Sequence, residues 1–286
     1  MSMMNTKLFE PASGKNAIEV MAIGVEWEQP LTAQQLANLE KIYHSNEIVK
    51  NFLPTYVPLK SVTMRFRHDA GKVDQSGSAQ FVETTDFSGF EIRKYDQESG
   101  SVPWLLSVQS NLLTCNCMDY DRWHAVKPRA ISILVPFINS ALELGAKIKA
   151  LGLQYQDKFN LLAGTSPEIT KLLFKRDTKW IAHHLFEQPT FWHCHQGWFS
   201  EDPRGRRILN NVTTDLTEVQ EKHTARIGGQ HRVLAATFDG KKRFSISLED
   251  IDEILDHLHH ENKEVINGML SNEALVSIGC KDSAHE

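Results

Sequence analysis

Residues 17–27 read Ala17-Ile18-Glu19-Val20-Met21-Ala22-Ile23-Gly24-Val25-Glu26-Trp27. Both alternating faces of this stretch are largely apolar, the pattern of a strand buried on two sides, with Glu19 the exception. Pro30 ends it. Thr32 and Gln35 then stand at capping-box spacing, and Leu36, Leu39 and Tyr43 follow at helical intervals, which predicts a helix over 32–50. A buried strand leading at once into an amphipathic helix points to a layered α+β protein.

The same grammar extends along the chain. Val62–Arg67 reads as a short strand, and residues 70–79, rich in Gly, Ser and Asp, as an exposed loop. Phe90–Tyr95 and Trp104–Cys117 read as strands joined by the turn-forming Gln97–Gly100. Pro128 or Pro136 is expected to open a second helix, with Ile131, Leu134, Ile138, Leu142, Gly145 and Ile148 on one stripe. Leu151–Phe159 returns as a strand.

Beyond it, Phe191–Phe199, Ile208–Leu216 and His231–Phe238 read as strands, and Asp239-Gly240 as a hairpin tip before Arg243–Ile246. Ser247 with Asp250 caps a long final helix whose stripe is Ile251, Ile254, Leu255, Leu258, Val265, Ile266 and Met269. The expected organisation is a lead-in at 1–15, an N-terminal α+β lobe at 16–162 and a C-terminal α+β lobe at 163–286. Each lobe is expected to be a mainly antiparallel sheet with a long amphipathic helix.

Composition narrows the function. The net charge is −5 over 286 residues, which argues against an extensive nucleic-acid footprint. No run approaches the ~18 apolar residues of a membrane span, and Met1–Lys15 lacks the apolar centre of a secretory signal. The four cysteines, Cys115, Cys117, Cys194 and Cys280, form no disulfide framework, so the expected location is the cytoplasm.

Several constellations carry residue types capable of chemistry. His193-Cys194-His195 resembles a copper triplet but lacks the further histidine four residues on, where Phe199 stands. His193 and His195 would still share a strand face as weak metal candidates. In the last helix, His257 with Glu261 and His260 with Glu264 have the spacing of intrahelical ion pairs. Arg204, Arg206 and Arg207 after one turn, and Lys241, Lys242 and Arg243 after another, are candidate contacts for phosphates or a partner. There is no nucleophile elbow and no phosphate loop, and no cofactor is implied.

Four segments carry a resemblance: Asn16-Ala17-Ile18-Glu19, Tyr120-Asp121-Arg122-Trp123, Leu151-Gly152-Leu153-Gln154-Tyr155 and Leu258-His259-His260-Glu261-Asn262-Lys263. In this order they resemble a sporadically distributed bacterial protein family of unknown function, in which the third segment usually carries arginine where this chain has Gln154. The resemblance implies a two-part α+β fold and supplies no activity. Its patchy distribution suggests defence or mobile genes. Glu19, Tyr120, Trp123, Tyr155, His259 and Asn262, all in matched segments, are therefore the candidates for one shared cleft.

The expected function is a non-enzymatic accessory or regulatory interaction protein of a bacterial defence or toxin–antitoxin-like system, with a protein partner encoded by a neighbouring gene. The alternatives are a nucleic-acid- or nucleotide-binding protein using the basic turns, and a metal-dependent enzyme using the His-x-His strand.

Overall fold

Strand β2 (Ile18–Trp27) and strand β7 (Ile148–Leu161) pair antiparallel at the centre of one ten-stranded sheet. The computed structural model describes residues 9–12, 16–67, 80–162, 166–219, 222–235 and 244–280. The other strands are β1 (Phe9–Pro11), β3 (Thr55–Arg67), β4 (Gln80–Lys94), β5 (Trp104–Gln109), β6 (Leu112–Cys117), β8 (Trp192–Glu201), β9 (Arg207–Val219) and β10 (Lys222–Leu234). Their order is β3-β4-β5-β6-β2-β7-β10-β9-β8, with β1 beside the end of β7, and every pairing is antiparallel.

The helices are α1 (Ala33–Ser45), α2 (Glu47–Phe52), α3 (Trp123–Glu143), α4 (Ser166–Leu173), α5 (Asp250–Met269) and α6 (Asn272–Ser277). Their apolar stripes meet one face of the sheet. Met21, Ile23, Val25 and Trp27 of β2, Leu113, Cys115 and Cys117 of β6, and Leu153 and Tyr155 of β7 are buried there against α1, α3 and α5. Phe159, Ile227, Val212 and Leu216 lie under α4, α6 and the far half of α5. A fully buried side chain of this size contributes about 1.5–3 kcal/mol.

Residues 17–27 were expected to be covered on both sides; among the described residues, helices cover only one. Ala22, Gly24 and Glu26 are half-exposed. Small side chains read as apolar in the sequence here lie on an uncovered face.

The capping box at Thr32 and Gln35 is present, with Gln35 N donating to Thr32 Oγ1 at 3.2 Å. The helix breaks at Asn46, whose side chain accepts from Val49 N at 3.1 Å and so starts α2. Neither proline opens α3: Pro128 and Pro136 both lie inside it. An interior proline costs about 3 kcal/mol. Leu134, Phe137, Ile138 and Ala141, each at most 1% exposed, anchor the helix to the sheet and outweigh that cost.

Trp104–Cys117 is two strands, with Ser110 and Asn111 between them. Strand β10 begins at Lys222, nine residues before His231, because its first half is too polar and glycine-rich to stand out as a strand. Asp239-Gly240 lies outside the described residues. Phe244–Ile246 is not a strand, although Phe244 N donates to Ala235 O at 2.7 Å. The long helix α5 holds and all seven residues of its stripe are buried, but its N-cap is Glu249, and Ser247 bonds Asp250 from outside the cap position.

Candidate functional site

The matched segments meet where α3 and α5 cross above β7. Asn16 sits just before β2 and donates from Nδ2 to the carbonyl of Tyr120 at 2.9 Å, fixing the loop that leads into α3. The Tyr120 ring stands edge-on to Tyr155, with centroids 5.9 Å apart. Tyr155 is fully buried on β7, and its hydroxyl lies 2.9 Å from Nδ1 of His259 on α5. Trp123, the first residue of α3, stacks on His259 at 4.6 Å and 13°. Trp123 Nε1 donates to Asp256 Oδ1 at 2.8 Å, and Lys127 Nζ to Asp256 Oδ2 at 2.9 Å. Lys127 also pairs with Asp252 at 2.9 Å.

Burial sets the protonation states. It raises the Tyr155 phenol well above its usual value and Tyr120 to about 12. It lowers His259 to about 4, with the Lys263 charge acting in the same direction. Near neutral pH both groups are therefore uncharged, and the direction of the bond between them follows the tautomer of the ring. A general base works best with a pKa near the operating pH. His259 lies far below that, and its Nδ1 is already bonded. The groups of this cluster are engaged with one another and tie α3 to α5.

Two of the six candidates lie elsewhere. Glu19 turns to the opposite face of the sheet, 3.2 Å from Lys158 and 3.7 Å from Arg226. Its odd polarity in an otherwise apolar stretch reflects this open side. Asn262 is one turn beyond His259 on α5, and its Oδ1 lies 3.3 Å from Nε2 of the fully buried His231. The chain continues from His231 Nδ1 to Asn210 Oδ1 at 2.7 Å and from Asn210 Nδ2 to Ser200 Oγ at 2.9 Å. Burial lowers His231 to about 4. A neutral ring carries one N–H, so one of the two amides facing it must present its nitrogen to the ring.

That chain requires close approach of α5 to β10. A Cβ at Gly229 would stand 2.1 Å from Asn262 Oδ1. Gly229→Ala is therefore expected to lose about 2 kcal/mol through overpacking, whereas Gly24→Ala, whose Cβ meets nothing nearer than 3.8 Å, stays within about 0.5 kcal/mol on the surface scale. Urea denaturation of the two variants checks this.

Asp157 is a buried group outside the expected candidates. It is 5% exposed on the helix side of β7, two residues from Tyr155, and burial raises it to about 7. The alternation Leu153, Tyr155, Asp157, Phe159 could have marked it.

The basic candidates divide. Arg204 and Arg206 grip the first turn of α5: Arg204 Nη1 is 2.9 Å and Arg206 Nη1 3.2 Å from Asp250 Oδ1, and both reach Glu253. Arg206 is buried with Asp202, which accepts its Nε–H and its backbone N–H. Arg207 lies over the Phe199 ring at 5.0 Å. Lys241, Lys242 and Arg243 lie outside the described residues. His193 and His195 share the open face of β8 and are exposed. Among the described residues, no group of three or more His, Cys, Asp or Glu is arranged to hold a metal ion. His257–Glu261 and His260–Glu264 form the expected intrahelical pairs, at 3.8 and 3.3 Å.

On the face away from the helices, cross-strand register sets out continuous rows. One runs Glu91, Ser107, Thr114, Gly24, Gly152, Arg232, Leu209, Phe199. The next runs Arg93, Leu105, Asn116, Ala22, Gln154, Gln230, Asn211, Gly197. Both are small or amide-bearing at the centre. A groove of about 290 Å³ lies there, between Asn111, Leu112 and Thr114 on one side and Gln230 and Arg232 on the other. Among the described residues, no helix is long and apolar enough to cross a membrane.

The fold and its groups define an α+β protein with a one-sided helix layer. No family model matches the chain, and no curated protein does. Among solved structures, it is similar to the di-domain ARO/CYC BexL from the BE-7585A biosynthetic pathway over 92% of this chain and 99% of that one. The identity is 10% and the TM-score 0.16, values too low to carry an argument.

Proposed function

We propose that this chain is a non-enzymatic interaction protein, an accessory or regulatory component of a bacterial defence or toxin–antitoxin-like system acting in the cytoplasm. Its partner is a protein encoded by a neighbouring gene. The observation that carries the reading is the sheet face that no described helix covers, whose centre is polar and amide-bearing, with Glu26 and Arg232 at the groove and strands on either side. Rigid elements position contact residues better than loops do. The resemblance to the sporadically distributed bacterial family supports the genetic setting, and the mutual engagement of Tyr155, His259 and Trp123 favours a structural role for that cluster.

We also read the sheet as two lobes, 16–162 and 163–286, joined where β7 pairs with β10. In the first lobe the opening strand β2 pairs with the closing strand β7, and each lobe contains a long helix laid on the sheet. The basic-turn alternative is weakened by the pairing of Arg204 and Arg206 with carboxylates.

The test is co-purification of the tagged chain with each product of its neighbouring genes, repeated with Gln154→Lys and Gln230→Lys. Capture by the wild type and loss with both variants is the expected result. A chain that captures none of them, or variants that capture as well as the wild type, would count against this reading.

A further inference from the structure

The groove at the centre of the bare face has a property that general docking does not explain. Gly24 and Gly152 are directly opposite across β2 and β7, so its floor has no side chains. The stem of Arg232 lies flat on Gly152: a Cβ there would stand 2.9 Å from Arg232 Cγ. The guanidinium is thus laid across the groove, 3.9 Å from Glu26. Its Nε is buried and has no hydrogen-bond partner among the described residues. That atom is sealed from the groove, and the exposed third of the side chain offers its outer nitrogens instead. Glu26 is shared between Lys149 at 2.5 Å and Arg232 at 3.9 Å, so two cations face one carboxylate. Gln154 and Gln230 line the same groove with amide donors and acceptors. Its volume of about 290 Å³ is at the small end of the range that holds small ligands.

We propose that this groove binds a monoanionic carboxylate with an amide-bearing body, its carboxylate accepting from the outer Nη groups of Arg232 and its body lying over Gly24 and Gly152. The chemistry is that of an N-acyl amino acid or of a polypeptide C-terminus. The site stands on the cavity and on the two cations that share Glu26, and does not depend on the interaction reading above.

The experiment titrates N-acetylglycine, its neutral amide N-acetylglycinamide, and an acetylated tripeptide ending in a free glycine carboxylate, followed by amide chemical shifts of the full chain. N-acetylglycine is expected to saturate and the neutral amide to bind at least about tenfold more weakly. A tighter tripeptide would assign the source to a chain terminus, and equal affinity to a free acid. Arg232→Met keeps the stem and removes the donor. Gly24→Val fills the floor where an added Cβ meets nothing nearer than 3.8 Å, and its β-branched side chain suits a strand. Both variants are expected to melt at or above the wild-type temperature and to lose binding by about tenfold or more. Equal binding of acid and amide, unchanged affinity in folded Arg232→Met, or no saturation by either carboxylate would overturn the proposal.

Discussion

Arg206→Ala is expected to cost about 3–5 kcal/mol of folding free energy, because it leaves a buried carboxylate without its partner. Asp202 is 6% exposed and bonded to the Arg206 guanidinium and backbone. The same guanidinium reaches Asp250 and Glu253 in the first turn of α5. The change therefore loosens the β8–β9 turn and the start of the helix that ties both parts of the core together. Arg207→Ala, next in sequence, loses a contact over Phe199 worth about 1 kcal/mol. Guanidinium denaturation separates the two. Equal, small losses would return Arg206 to the class of free surface charges.

The second large effect is on pH dependence. The folded His231 and His259 sit at about 4 against an ordinary 6.5. Between those values the unfolded chain binds more protons, so both residues make stability rise with pH and contribute fully above 6.5. Asp157 acts in the opposite direction: at about 7 in the fold against an ordinary 3.8, it holds an extra proton when folded, so its share falls as pH rises from 3.8 to 7. One proton difference changes stability by about 1.4 kcal/mol per pH unit. Two histidines against one aspartate leave a net rise of about that size from pH 4 to 6.5, with a maximum near 6.5. Asp157→Asn is expected to double the slope roughly, to remove the decline above 6.5, and to be as much as about 4 kcal/mol more stable than wild type at pH 8. Urea midpoints at half-unit intervals from pH 4.5 to 8 decide it. Parallel profiles for wild type and variant would mean that Asp157 is ionised and solvated in the fold.

The α+β class, the capping box at Thr32, the stripe of α5 and most of the strands were legible because each rests on local periodicity. Asn46 was hidden inside an expected helix, since a side chain that caps a second helix looks the same as one facing water. The prolines of α3 misled because local cost was set against core burial that only the tertiary structure reveals. At 17–27, Ala22 and Gly24 counted as apolar and suggested a second covered face. Their small size instead forms the floor of a groove.

Four candidates, Tyr120, Trp123, Tyr155 and His259, do meet. They were found by resemblance, as nothing in their spacing brings residues more than a hundred positions apart together. Glu19 was correctly singled out by its odd polarity, but that signal marks a face and says nothing about a cleft. Asp157 and Arg232 were missed for a related reason. One sits in a strand where a carboxylate reads as solvent-facing, and the other is defined by a cross-strand neighbour, Gly152, that no sequence interval specifies.

The most direct test of the one-sided sheet lies along strand β6. Cys115 and Cys117 are fully buried beneath the helices, while Thr114 and Asn116 alternate with them on the other face. Thr114→Cys and Asn116→Cys should react with a maleimide in the folded protein, with Cys115 and Cys117 labelled only after denaturation, as read by peptide mass mapping. Protection of positions 114 and 116 in the purified chain, or labelling of 115 and 117 before unfolding, would contradict the bare face and the docking and ligand roles built on it.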